Sequence, residues 1–462
     1  MFLDATVYFV VNPVAVYMIY SQSISNERGA PVEQNHLESQ RTAFANLSTG
    51  FFLMRQRAID LFNTAVKAAD PALALRPYLA DLPAISGRYI LVSIGKAACA
   101  MVEEAIVNLP KDAAFQAIAV TNSENARPVE GCNVMSAGHP VPDENGLAAG
   151  QAVIALLQTT TLDDKVLALI SGGGSALLPA PVAGISLADK AEVSRVLLGA
   201  GVEITEMNLV RQQLSQLKGG GLAQFASPAK LHGYILSDVI GDDLRAIASG
   251  PTVAPIVDRT AARGLLQRLG IFSQMPASVQ AHLLGGAPVT QSYEAVNTLI
   301  GSNSQSLRAM QGASNGGVIV NDALTGDVAE AAEFILRSAR ENHNETLIFG
   351  GETTVILRGD GKGGRNQELA LRVAMLAENQ DLGDWVFLSG GTDGRDGPTD
   401  AAGGIVNGQT AQRIRDADET PEALLANNDS YKALQTAGDL LMTGGTGTNV
   451  ADVQLFLRPT KS

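Results

Sequence analysis

The chain is poor in several residue types from which familiar sites are built. Cysteine occurs only at Cys99 and Cys132 in 462 residues. Two thiols in so long a chain make neither a disulfide framework nor a CxxC metal site, and a reducing cytoplasm is the compartment expected. Positive charge is also scarce, with 33 Lys+Arg against 47 Asp+Glu and a formal net charge of -14. No broad positive field is available to draw the chain onto nucleic-acid phosphates, so no nucleic-acid partner is expected. An anionic substrate has to be held by a few local cations and backbone N–H groups, which favours a cleft over a surface patch. The apolar stretch Phe2–Tyr20 carries Asp4, Asn12 and Pro13 and has no basic flank, and is read neither as a membrane span nor as an export signal. Neither a Walker GxxxxGK[ST] loop nor the catalytic loop of protein kinases is present.

Glycine and alternation are abundant. The 47 Gly and 19 Pro are spread through a chain of 46% hydrophobic residues, which is ordinary for globular protein, and the length suits two domains. Residues 21–40 are polar without apolar periodicity, so residues 1–50 are expected to be a disordered or weakly docked extension, with the folded body starting near Met54. Short apolar runs at Tyr89–Ile94, Ala117–Val120, Val166–Ile170 and Tyr234–Leu236 then alternate with helical patterns such as Ala98–Asn108 and Glu144–Gln158. That alternation predicts a parallel sheet. Beyond the loop-like Gly285–Gln291 a second series follows: Thr298–Ile300, Val318–Val320, Thr346–Phe349, Thr353–Leu357, Val386–Leu388 and Leu440–Thr443. The pair parted by Gly350, Gly351 and Glu352 reads as a hairpin, which makes the second sheet mixed. The expected fold class is α/β: a Rossmann-like parallel-sheet domain over 54–290 and a smaller mixed-sheet α/β domain over 291–462.

Ligands of open α/β sheets collect beyond the carboxyl ends of the strands, and there the chemistry-bearing residues stand. After Tyr89–Ile94 comes Gly95-Lys96-Ala97-Ala98, a tight turn into a helix start that suits an anion beside Lys96, or leaves a solvated lysine. After Val166–Ile170 comes Ser171-Gly172-Gly173-Gly174-Ser175, a row of backbone donors suited to carboxylate or phosphate, or a plain flexible turn. This loop has neither GxGxxG nor GxSxG spacing, so Ser175 is not read as a nucleophile. Asn208, Arg211, Ser215 and Lys218 are spaced to share one helix face carrying two cations, with Gly219-Gly220-Gly221 stopping the helix. Asp238, Asp242 and Asp243 follow the Tyr234 strand and suit Mg²⁺, with a capping role open for the last two. In the second domain a glycine-rich loop, Gly359–Gly364, delivers Arg365 at a helix start, where it can clamp a phosphoryl group with two bonds. Asp393, Asp396 and Asp400 follow another strand and match either Mg²⁺ or Ca²⁺, or tight-turn roles, and Thr443–Asn449 is one more Gly/Thr loop.

These segments resemble the class II glycerate kinase family in content and order. The N-terminal motifs Ile94-Gly95-Lys96, Ser171–Ala176, Asn208–Arg211 with Lys218-Gly219-Gly220, and Ser237-Asp238-Val239 with Ser249–Thr252 are similar to its first domain. Gly350–Thr354, Gly363–Glu368, Gly391–Gly394 and Thr446–Asn449 are similar to its MOFRL domain, and the resemblance covers roughly residues 54–455. It implies an active site in the cleft between the domains, ATP as nucleotide, glycerate as substrate, 2-phosphoglycerate as product, and Lys96 with Arg365 as the catalytic pair. Asp238 and Asp393 are assigned to Mg²⁺ from their chemistry, and the Ser171–Ser175 loop to the carboxylate; Arg211, Lys218 and Asn449 complete the expected substrate and phosphate contacts. A hydroxypyruvate reductase using NAD(P)H, or a non-catalytic sensor of a sugar acid or nucleotide, are the alternative readings. The oligomeric state stays open between monomer and homodimer.

Overall fold

The structure, a computed structural model, describes residues 31–285, 293 and 295–459. The chain divides into two compact units, Met1–Leu53 and Met54–Ser462. Of the first unit only residues 31–53 are described, as the opening of a helix, Pro31–Ala68. The stretches read as Phe2–Tyr20 and 21–30, and most of the loop Gly285–Gln291, lie outside the described residues. The polar composition of residues 31–40 predicts irregular chain, yet they are helical. Glu33, Gln34, Leu37, Glu38 and Gln40 are all good helix formers, and propensity of that kind needs no apolar stripe.

The second unit holds two sheets. Six strands form the first: β1 (Tyr89–Ile94), β2 (Phe115–Asn122), β3 (Cys132–Ala137), β4 (Lys165–Ile170), β5 (Lys230–Leu236) and β6 (Ala295–Gly301). All pair in parallel, in the order β3-β2-β1-β4-β5-β6. Along β1 the alternating side chains Ile90, Val92 and Ile94 enter one apolar core and Tyr89 and Leu91 the other. Both faces are therefore covered, which is why these parallel strands read as unbroken apolar runs. The strand predicted at Thr298–Ile300 belongs here, as β6 beside β5, and not to the second sheet. A three-residue apolar run carries no information about which sheet it joins, so the switch between sheets falls after Gly301 instead of at residue 291.

The second sheet contains β7 (Val318–Asp327), β8 (Thr346–Thr354), β9 (Val386–Gly391), β10 (Gly403–Asn407), β11 (Leu440–Leu441) and β12 (Asp452–Leu457), in the order β11-β10-β9-β12-β8-β7. It is mixed: β7 and β8 are parallel and the other pairs antiparallel. The hairpin expected from Thr346 to Leu357 is absent, because Gly350 and Gly351 continue β8 without a turn. Their bare backbones are needed for close approach: a Cβ on Gly351, at φ +153°, would stand 2.1 Å from the Leu324 carbonyl oxygen of β7. The part of the long helix inside this unit is anchored by Arg55, whose Nη1 donates to Asp439 Oδ1 at 2.9 Å, and by Ser306, whose Oγ donates to the Ala65 carbonyl at 2.8 Å.

Candidate active site

In the first sheet the strand order reverses between β1 and β4. Loops leaving those two strands turn to opposite faces and open a crevice between them. The structure stitches the two loops together at this point. Lys96 N–H donates to the Gly172 carbonyl (2.9 Å), Ala97 N–H to Ser171 Oγ (3.1 Å) and Ser171 N–H to the Ile94 carbonyl (2.9 Å). The contact requires glycine at 95, since a Cβ there would lie 2.3 Å from Ser171 Oγ and its φ is +121°. Ser171 is thus a strut between the loops. Gly172 packs against Asp238 so tightly that a Cβ would meet Asp238 Oδ2 at 2.3 Å, and one on Gly173 would meet the His139 ring and Lys96 Cγ at 3.1 and 3.4 Å. Lys96, the glycine row, His139 and Asp238 therefore share one crevice.

The single helix face predicted for Asn208, Arg211, Ser215 and Lys218 is not what forms. The helix Ile204–Gln213 stops short, and Gly220 at φ +84° starts a second helix, Gly221–Ala226. Ser215 and Lys218 stand on the turn between, because Gly219 and Gly220 open that turn by adopting left-handed backbone. The turn still carries Lys218 inward: its Nζ donates to Ser175 Oγ at 2.7 Å, and Ser175 Oγ lies 2.9 Å from Ser249 Oγ. Lys218 is 6% exposed, and burial, with Lys190 and Arg211 nearby, pushes its ammonium well below the usual lysine range. Lys190 has no distinguishing mark in the sequence, standing in the first turn of an ordinary helix, Leu187–Gly199, away from any strand end.

The second half of the site comes from the second sheet. Arg365 heads the helix Arg365–Ala377, as predicted. Asp396 caps that helix from outside, accepting from the N–H groups of Asn366 (3.1 Å) and Gln367 (2.8 Å), and it leaves no space for a side chain at Gly364. Burial and the neighbouring Asp452 push Asp396 up to about 6 against the pull of those N–H donors. The two-bond clamp expected of Arg365 is already engaged: Nε donates to Asp452 Oδ2 at 2.6 Å and Nη2 to Asp452 Oδ1 at 2.9 Å, with Glu352 at 3.3 Å. Only the Nη1 corner lies outside these bonds. Asp452 opens the central strand β12, opposite Gly351 of β8 and Gly391 of β9, so three strand ends meet beneath Arg365.

The acidic run after β9 divides by role. Asp396 is the helix cap and the exposed Asp400 accepts from the Tyr431 hydroxyl at 2.8 Å, while Asp393 Oδ2 lies 3.9 Å from Lys96 Nζ. That contact joins the two halves of the site. Asn449 sits in the loop stitched to Thr392 and Asp393 through Thr446, and its Oδ1 accepts from Ala451 N–H at 3.2 Å. Asp243 is occupied by Arg245 at the surface (2.8 Å). Three neighbours have no role in the sequence reading: His139 and Asp452, which it does not name, and Glu352, which it places only in the Gly350–Thr354 motif. Glu352 and His139 each follow a glycine at a strand end, a weak signal, whereas a lone aspartate opening an apolar strand gave none.

Burial raises Glu352; Arg365 opposes that, while Asp452, Asp238 and Asp393 add to it. Burial likewise raises Asp238, against Lys96 and the Gly173 N–H. Four carboxylates thus face two cations, an excess of negative charge that a divalent cation would relieve. Among the described residues no three His, Cys, Asp or Glu side chains converge as a cage for an ion. A magnesium ion that stays largely bound to phosphates and water needs only one or two carboxylates, and Asp238 and Asp393 fit that role. His139 is held toward its neutral form by burial and then by Lys96.

Residues 57–284 match the family model described as Domain of unknown function (DUF4147), and residues 345–452 match the MOFRL family. The chain is 38% identical over 418 residues to the D-glycerate 2-kinase of Thermotoga maritima, covering 87% of this chain and 98% of that one. It is 39% identical to a putative hydroxypyruvate reductase of Agrobacterium vitis, over 87% of this chain and 94% of that one. The crystal structure of a glycerate kinase from Thermotoga maritima superposes with a TM-score of 0.81 at 38% identity, covering 88% of this chain and 99% of the other. Fold, site and likeness together define a kinase built from two α/β domains. The chain belongs to the class II glycerate kinase family. No helix among the described residues is long and apolar enough to cross a membrane.

Proposed function

We propose that this enzyme transfers the γ-phosphate of ATP to the 2-hydroxyl of glycerate, giving 2-phosphoglycerate. The observation that carries the reading is the meeting of Lys96, from the β1 loop of one domain, with Asp393 and the Arg365 cluster of the other, beside the glycine row after β4. Phosphoryl transfer asks little covalent chemistry of a protein. It needs an aligned hydroxyl and positive charge where the transferring group gathers negative charge. Lys96 and the Nη1 corner of Arg365 supply that charge, and Asp452 fixes the Arg365 plane in advance. The N–H groups of Gly172–Ser175 take the carboxylate of glycerate and orient its 2-hydroxyl; Arg211, Lys218 and Asn449 complete the phosphate and substrate contacts. Asp238 and Asp393 would hold Mg²⁺, which when bound screens the phosphate charge.

The reductase reading draws on the name of two relatives from Agrobacterium vitis and on the strand order, which is that of dinucleotide-binding sheets. Gly359, Gly361 and Gly364 do repeat GxGxxG spacing, but they follow β8 of the mixed sheet. Their backbones pack against Asn427, Asp429 and Asp396, so no cradle for a pyrophosphate opens there. One set of assays on purified enzyme decides: ATP-dependent phosphate incorporation into glycerate is expected, whereas NAD(P)H oxidation with hydroxypyruvate, or ligand binding without turnover, would replace the proposal.

A further inference from the structure

A cavity of about 510 Å³ has Ser175, the end of the glycine row, in its wall. Lys190, Arg211 and Lys218 line it, and among the described residues no carboxylate pairs with any of the three. Lys190 Nζ is buried and meets no hydrogen-bond acceptor. Burial and Arg211 push that ammonium down to about 8, so the group is short of the negative charge that would stabilise it. The rest of the wall is mostly apolar, with Val193, Met207 and Leu214 in the core and Val141 and Leu198, 73% and 66% exposed, at the rim; Ser175, Ser194 and Arg195 also line it, and Arg195 is paired with Glu192 at 2.5 Å. A three-carbon acid with one carboxylate would use one cation and leave most of this wall wet. The volume falls within the range of pockets that enclose cofactors, roughly 300–1,000 Å³, and apolar walls with a few fixed charges are their usual lining.

We propose that this cavity is the nucleotide seat, with the base and ribose against the apolar wall and the inner phosphates on Lys190, Arg211 and Lys218. The proposal rests on the kinase reading and adds to it a site and a new residue, Lys190. Continuity supports it. Lys218 Nζ bonds Ser175 Oγ directly, and Ser175 ends the glycine row that begins beside Lys96, so a phosphate chain entering over the three cations leads its terminal group toward Lys96 and Arg365. The glycine row then remains free for glycerate.

The test is equilibrium titration with ADP alone, by calorimetry, on wild type and on Lys190→Met, followed by steady-state kinetics in both substrates. Removing an ammonium that has no partner should leave the fold intact, which thermal unfolding checks. We expect the ADP Kd and the KM for ATP each to rise about tenfold or more, with the KM for glycerate within twofold. A second variant, Ser194→Phe, fills the cavity without altering charge and should also weaken ADP. An unchanged ADP Kd in both variants overturns the proposal, as does a rise confined to the glycerate KM, which would make the cavity the acid's site. Because the titration needs no turnover, a chain that binds ADP through Lys190 but does not phosphorylate glycerate would sustain the seat and refute the reaction.

Discussion

Arg365 bears on stability and catalysis at once, and the structure allows the two to be separated. Its Nε and Nη2 are bonded to Asp452, which is 0% exposed. Burial raises Asp452 and Arg365 opposes that rise, so Arg365→Ala strands a carboxylate in the core. Breaking a buried pair from one side costs about 3–5 kcal/mol. On the catalytic side, losing one preorganised donor to a developing charge lowers kcat by roughly 10²–10³, or about 2.7–4 kcal/mol. The double variant Arg365→Ala/Asp452→Asn removes the stranded charge with its partner. Its unfolding temperature should recover most of the loss, while its kcat stays as low as that of the single variant. Arg365→Lys should not rescue turnover, because one ammonium cannot make two parallel bonds to Asp452 and still reach a phosphoryl oxygen. Thermal unfolding and steady-state kinetics on the folded fraction are the assays. A kcat within threefold of wild type in folded Arg365→Ala would refute the reasoning.

Lys96→Ala should lower kcat by roughly 10²–10⁴ with a much smaller change in the glycerate KM, since its charge is needed most in the transition state; a mainly KM effect in the same kinetics would make it a binding residue. Asp164 tests the electrostatics of the fold away from the site. Its burial opposes ionisation, but the Arg88 side chain and N–H and the Thr161 N–H and hydroxyl together hold it at about 2, below the ordinary 3.8. A carboxyl depressed in the folded state adds stability that is present above about pH 4 and lost as pH falls through about 2, here about 2 kcal/mol. Denaturant unfolding of Asp164→Asn should show that loss near pH 7 and a difference that narrows toward pH 2; a constant difference would contradict it. Deleting residues 1–50 should leave kcat within about threefold, because Arg55 and Ala65, which anchor the remaining helix, are retained. Loss of folded enzyme on truncation, seen by circular dichroism, would overturn that.

The parts of the site legible in the sequence are those placed by strand ends. Gly95-Lys96, Ser171–Ser175 and Asp238 follow strands of the parallel sheet, which end at one edge, and Asp393 follows β9, which runs in the same direction as β8 because both are antiparallel to β12. Arg365 was legible because a glycine-rich loop ran into a helical pattern. What failed depended on partners distant in sequence. Gly350 and Gly351 are read as a turn unless the approach of Leu324 is known, and Gly219-Gly220 as a stop unless the following helix is. Asp452 carries no local pattern at all; its meaning comes from Arg365, 87 positions away. Lys190 matters only because Arg211 and Lys218 share its cavity.

Phosphorus NMR of the reaction mixture reads directly which bond the enzyme makes. Purified enzyme with ATP, Mg²⁺ and glycerate should give a new phosphomonoester signal split into a doublet by the single hydrogen on C2, at the expense of the γ-phosphate of ATP. A triplet, from the two hydrogens of C3, would place the phosphate on the wrong hydroxyl. No new ester, under conditions where the Thermotoga relative forms one, would contradict the account altogether.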